Sequence, residues 1–208
     1  MNIFEYGNPS ASRILVQMTG EHEIATLEKE VALVNENVVA DFRLIAIQAE
    51  DWNRDLSPWK APAVFGKEDF GDGAGETLKE VLNLCTDAGK AYYIGGYSLA
   101  GLFALWAAYQ TERFIGVAAV SPSMWFPDFV PYMKANEIRS SCVYLSLGDR
   151  EAKTRNPVMA TVEKKIREAY TRLQEQGVET ILEWNPGNHF KDAELRTARA
   201  FSWLLVKR

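Results

Sequence analysis

The sequence predicts an α/β fold, a mostly parallel sheet of about six strands with helices on both faces. Two observations carry this. Short β-rich runs alternate with longer stretches of helical periodicity, the pattern of strand–helix–strand units. No repeat, low-complexity stretch or linker interrupts them, so residues 1–208 read as a single domain, long enough to bury a substantial core.

Arg13 to Met18, with Ile14, Leu15 and Val16, is the first buried strand. Ile24, Leu27, Val31 and Val34 recur at helical spacing and predict a helix over Glu23 to Asn35. Phe42 to Gln48 is the second strand, followed by a long Trp-bearing loop from Ala49 to about Gly75. A helix over Glu76 to Ala88 closes at Gly89. Ala91 to Tyr97 is the third strand, and Gly101 to Gln110 a strongly apolar helix beneath the sheet. Ile115 to Val120 and Cys142 to Leu147 are the next strands. Pro157 opens a helix with Val158, Val162, Ile166, Ala169 and Leu173 on one face, and Gly177 ends it. Val178 to Trp184 is the last strand and Ala193 to Val206 the closing helix.

Composition narrows the function. Hydrophobic residues make up 47% and charged residues 25%, ordinary for a globular chain. A net charge of −5 without a basic cluster argues against nucleic acid as a partner. No apolar run approaches the roughly 20 residues of a transmembrane helix. Met1 to Ser10 shows neither a basic start nor an apolar signal core, so a cytoplasmic location is expected. Cys85 and Cys142 sit among apolar residues and read as buried thiols in a reducing compartment. Two histidines and scattered carboxylates give no metal-ligand spacing, so neither a metal nor a cofactor is expected. Gly71-Asp72-Gly73-Ala74-Gly75 follows no strand and is not a phosphate loop.

The chemistry concentrates at Tyr92-Tyr93-Ile94-Gly95-Gly96-Tyr97-Ser98-Leu99-Ala100-Gly101. A buried strand runs into a serine and then into an apolar helix. So sharp a turn requires small residues two before and two after the serine, and these are Gly96 and Ala100. This is the Gly-x-Ser-x-Gly elbow with alanine in the last place. It lifts Ser98 clear of the sheet edge and aims the Leu99 N–H at a developing oxyanion. The competing reading is a helix-capping serine in a tight turn.

A nucleophilic serine needs a base. His189, in Asn185-Pro186-Gly187-Asn188-His189-Phe190, lies between the last strand and the last helix, where the order Ser, acid, His puts it. The acid belongs in Gly148-Asp149-Arg150-Glu151, with Glu151 favoured and Asp149 within reach. A second oxyanion donor is expected from the N–H of Thr19, Gly20 or Glu21. His22, Trp52, Trp59 and Trp125 lie on loops at the carboxyl ends of strands and could shape a pocket, or simply pack. Trp106 and Trp203 fall in helices and read as core.

Four segments in order, Met18-Thr19-Gly20-Glu21-His22, Gly96 to Gly101, Ser121-Pro122-Ser123-Met124-Trp125-Phe126 and the His189 loop, resemble the enterochelin esterase-like and esterase D-like α/β-hydrolases. The resemblance implies an α/β-hydrolase fold in a minimal form, and hydrolysis of a small-molecule carboxylic ester by Ser98 and His189. Two features depart from the pattern: Ala100 stands for the more frequent glycine, and the chain reads as lacking the extra N-terminal strands of many relatives. The same triad would serve an acyltransferase or thioesterase, and the scaffold also suits a binding module without activity.

Overall fold

The computed structural model of the chain describes residues 1–207. Its elements run β1 (Asn2–Gly7), β2 (Arg13–Thr19), α1 (Glu21–Ile24), α2 (Leu27–Asn37), β3 (Arg43–Gln48), α3 (Trp52–Asp55), α4 (Ala74–Leu84) and β4 (Ala91–Tyr97). They continue α5 (Leu99–Gln110), β5 (Phe114–Val120), α6 (Phe129–Ala135), β6 (Cys142–Gly148), α7 (Val162–Glu175), β7 (Glu179–Asn185) and α8 (Ala193–Leu205). The strands form one sheet in the order β1-β3-β2-β4-β5-β6-β7. Every pairing is parallel except that of β1 with β3.

The period-2 alternation of the strands divides the core. On β2, Ile14, Val16 and Met18 face a layer containing α4, α5, α6 and α7, whereas Leu15 faces α2 and α8. Helix α5 is buried on all sides from Leu99 to Tyr109, which explains why it carries no polar face. Both cysteines are free and buried, and burial pushes the Cys85 thiol up to about 12 and that of Cys142 up to about 11. Among the described residues no helix is long and apolar enough to cross a membrane.

The structure corrects several expectations. The sheet has a seventh strand: β1 lines the edge with Phe4 and Tyr6 half-buried and Glu5 exposed. The first predicted helix is two, broken at Ala25 and Thr26. Helix α4 ends at Leu84, and Gly89 instead belongs to a turn in which its N–H donates to Asp87 Oδ1 at 2.8 Å. Pro157 does not open α7; a 3₁₀ turn over Met159–Thr161 intervenes, with Asn156 Oδ1 accepting the Val158 and Met159 N–H groups. Gly177, at φ 75°, does close α7: its N–H bonds to Gln174 O and that of Val178 to Leu173 O.

Gln17 follows Leu15 onto the α2 face, where it meets Glu30; the two are 3% and 4% exposed. Gln17 Nε2 donates to Glu30 Oε2 at 3.3 Å, while Gln17 Oε1 and Glu30 Oε1 are left without partners. One proton on Glu30 allows an O–H to serve the amide oxygen and relieves both orphans. Burial pushes the Glu30 carboxyl up to about 8, with Glu23 and Glu194 acting in the same direction. Above the unfolded value of 4.5 and up to about 8 the folded state therefore binds the extra proton, so stability declines as pH rises through that window. Glu30→Gln supplies the donor permanently. It is expected to remove roughly 2–3 kcal/mol of the fall between pH 5 and pH 8 in urea unfolding. Identical pH slopes in the two proteins would refute the assignment.

Candidate active site

Strand β4 delivers Ser98 at φ 60° and ψ −121°, a conformation costly for a residue with a side chain. The bends around it explain the small residues. A Cβ on Gly96 would lie 2.6 Å from the Ala100 methyl, and one on Gly101 would lie 2.8 Å from Gly96 O. Gly96 thus makes room for Ala100, and Gly101 allows α5 to pass close to β4. The turn is held from β5 as well, by Ser98 N–H donating to Val120 O at 3.0 Å.

His189 approaches from the loop between β7 and α8. Its Nε2 lies 3.0 Å from Ser98 Oγ and its Nδ1 lies 2.7 Å from Glu151 Oε2. Tyr97 O–H donates to the His189 carbonyl at 2.7 Å and its ring lies 5.2 Å from the imidazole, which sets both backbone and ring.

Glu151 comes from the turn after β6, its side chain 4% exposed. Its second oxygen, Oε1, accepts from Gly148 N–H at 2.7 Å, Ser121 Oγ at 2.8 Å and Arg196 Nη1 at 3.1 Å. Asp149, two residues earlier, points away from the ring and accepts Gly187 N–H at 2.7 Å. The two carboxylates of one turn therefore divide: one meets the imidazole, the other holds the loop that carries it.

Arg196, in the first turn of α8, is buried to 2% exposure. Besides Glu151 it donates to Tyr97 Oη and Ser121 Oγ through Nη1, and to the carbonyls of Asn188 and Pro186 through Nη2. The sequence reading passed over Arg196 and the role of Ser121. Ser123, from the same Ser-Pro-Ser run, sets its Oγ 3.3 Å from Ser98 Oγ.

The Leu99 N–H opens α5 beside Ser98 and has no acceptor among the described residues. On the other side, Thr19 O accepts Ala49 N–H from the β3 side. Since the N–H and C=O of a strand residue point the same way, the Thr19 amide faces β3 and that of Gly20 faces β4, where Ser98 lies. The Gly20 N–H donates to Glu23 Oε2 at 2.7 Å, and Thr19 Oγ1 reaches the same oxygen at 3.2 Å. Burial raises the Glu23 carboxyl, against the lowering effects of the Gly20 N–H, His22, Thr19 and His189.

Ser98 and His189 open onto a cavity of about 430 Å³ lined also by His22, Glu23, Trp52, Phe65, Trp125, Met159 and Phe190. Trp52 and Trp125 contribute to its walls. Trp59 does not: its ring packs on Phe126, Phe129 and Tyr132, and its Nε1–H donates to Pro127 O at 3.1 Å. Phe190, directly after the histidine, stands 88% exposed at the rim.

No protein-family model and no curated protein matches the chain. Solved structures do. An IroE-like serine hydrolase from Shewanella oneidensis superposes with a TM-score of 0.77 at 12% identity, over 98% of this chain and 75% of that one. The siderophore hydrolase EstA from Aspergillus nidulans gives 0.69 at 18% identity, over 96% and 84%. The enterochelin esterase from Shigella flexneri gives 0.66 at 20% identity over 97% of this chain, which spans only 53% of that enzyme. With its seven-stranded, mostly parallel sheet flanked by helices, the chain has the α/β-hydrolase fold.

Proposed function

We propose that the protein is a serine hydrolase that cleaves a small carboxylic ester through an acyl-enzyme. The observation that carries this reading is the unbroken hydrogen-bonded series Ser98 Oγ, His189 Nε2, His189 Nδ1, Glu151 Oε2, at 3.0 and 2.7 Å. The names of the similar structures, serine hydrolase and esterase among them, support the same reaction type.

In this reading Glu151 accepts the Nδ1–H and fixes the tautomer that leaves Nε2 free to accept. His189 Nε2 takes the Ser98 proton as Oγ attacks the ester carbonyl. The Leu99 N–H bonds the developing oxyanion. Collapse expels the alcohol, which takes its proton from His189. Water, activated by the same nitrogen, then attacks the acyl carbon and frees Ser98.

A fluorophosphonate probe tests the reading. The wild type is expected to be labelled with one phosphonyl group per chain, located by mass spectrometry on Ser98, and to hydrolyse p-nitrophenyl butyrate. Ser98→Ala should take no label. A folded wild type that neither labels nor turns over ester would make the protein a binding module on a hydrolase scaffold.

A further inference from the structure

One carboxylate of the cavity, Glu23, lies outside the triad. Glu23 Oε2 is engaged by the Gly20 N–H and Thr19 Oγ1, but Oε1 accepts no hydrogen bond from any described residue. Around it the lining contains the aromatic rings of Trp52, Trp125 and Phe65, two imidazoles, and neither lysine nor arginine. Carboxylate and aromatic faces together attract a cation, and no fixed positive side chain of the lining competes for them. An anionic substrate would meet the Glu23 carboxylate with only the two imidazoles, and no lysine or arginine, in the lining to offset the repulsion.

We propose that Glu23 is a specificity-determining residue that receives a protonated amine on the substrate, so that the preferred substrates are esters carrying an ammonium group a few bonds from the scissile carbonyl. The ammonium N–H donates to Oε1 while the alkyl groups of the nitrogen rest against the indole faces. Burial penalises the carboxylate, and an incoming cation favours its ionised form, so the interaction is strong for a charged ligand and weak for a neutral one. This rests on the ester hydrolase reading only for the identity of the reacting group; the subsite itself is a matter of binding.

The test compares 2-(dimethylamino)ethyl butyrate with 3-methylbutyl butyrate, which differ only in N⁺–H against C–H. At pH 7 the wild-type ratio of kcat/KM is expected to favour the ammonium ester by about tenfold or more. In Glu23→Gln that ratio should collapse to about one; a ratio taken within each protein cancels any general loss of activity. Binding is measured independently in Ser98→Ala by quenching of tryptophan fluorescence, since Trp52 and Trp125 line the cavity. The same preference should appear there and vanish in Ser98→Ala/Glu23→Gln. If neither ester is hydrolysed but the Glu23-dependent binding preference is present, the subsite stands and the hydrolase reading falls. Equal binding of the two esters, or a preference that survives Glu23→Gln, overturns the subsite. If Glu23→Gln does not fold, Glu23→Asp replaces it. Drawing the carboxylate back by one methylene should reduce the preference at least threefold, and an unchanged ratio is again fatal.

Discussion

Ser98→Ala is expected to lower kcat for p-nitrophenyl butyrate by roughly 10⁴- to 10⁶-fold with little change in KM, and His189→Ala by a comparable factor. The double substitution should cost hardly more than either single one. The reason is in the geometry: Ser98 Oγ and His189 Nε2, 3.0 Å apart, act as one unit, because the hydroxyl attacks only as its proton leaves. Removing either end abolishes the step that the other serves. What survives comes from binding and from the Leu99 N–H, which neither substitution touches. Glu151→Gln should lower kcat by about 10⁴-fold, the smaller end of that range, since it leaves nucleophile and base present but offers His189 Nδ1 the choice of a donor or an acceptor. Steady-state kinetics on the four proteins decide the matter. Losses that multiply in the double variant would mean that serine and histidine contribute independently, and the triad reading would be wrong.

How much of this was readable beforehand differs by physical cause. The elbow was legible because backbone sterics leave few residues possible where a strand turns sharply into a helix, and Gly96, Ala100 and Gly101 record that constraint. His189 was legible from its place in the strand order. The acid stayed open between Glu151 and Asp149 because both sit on one turn. Which of them meets the ring depends on the His189 loop, tied to that turn by Asp149 itself. Strand β1 was missed although Phe4 and Tyr6 alternate with Ile3 and Glu5, since an edge strand buries little and its signal is correspondingly weak. Helix α6 was hidden by Pro131, which its first turn tolerates. Glu23 carried a signal that went unread: an acid three residues after Gly20 is the far half of a capping box. Glu30 and Arg196 carried another. Each interrupts the buried stripe of its helix, beside Leu27, Val31 and Val34 in one case and Ala200 and Leu204 in the other, and a charged residue there implies a buried partner.

For Arg196 that partner makes the second large effect. Arg196→Leu is expected to destabilise the fold by about 3–5 kcal/mol, read from the urea unfolding midpoint. The guanidinium gathers Glu151, Ser121 and Tyr97 on one nitrogen and the Pro186 and Asn188 carbonyls on the other. Leucine fills much of the volume but leaves a buried carboxylate without its cation and the Pro186 carbonyl without a donor, while the Asn188 carbonyl keeps only the Lys191 N–H at 3.3 Å. Gly148 and Ser121 still serve Glu151 Oε1, so the charge is not wholly stranded, yet hydrogen bonds from neutral groups do not replace a cation 3.1 Å away. Arg196→Lys should recover only part of the loss, because an ammonium lacks the planar fork that reaches both groups of acceptors at once. If the cost comes from the exposed need of Glu151 rather than from lost packing, the same Arg196→Leu change made in a Glu151→Gln background must cost at least about 1 kcal/mol less. Equal costs in the two backgrounds would assign Arg196 to packing alone. Its bonds to the Asn188 carbonyl and Tyr97 would then be incidental to how His189 is held.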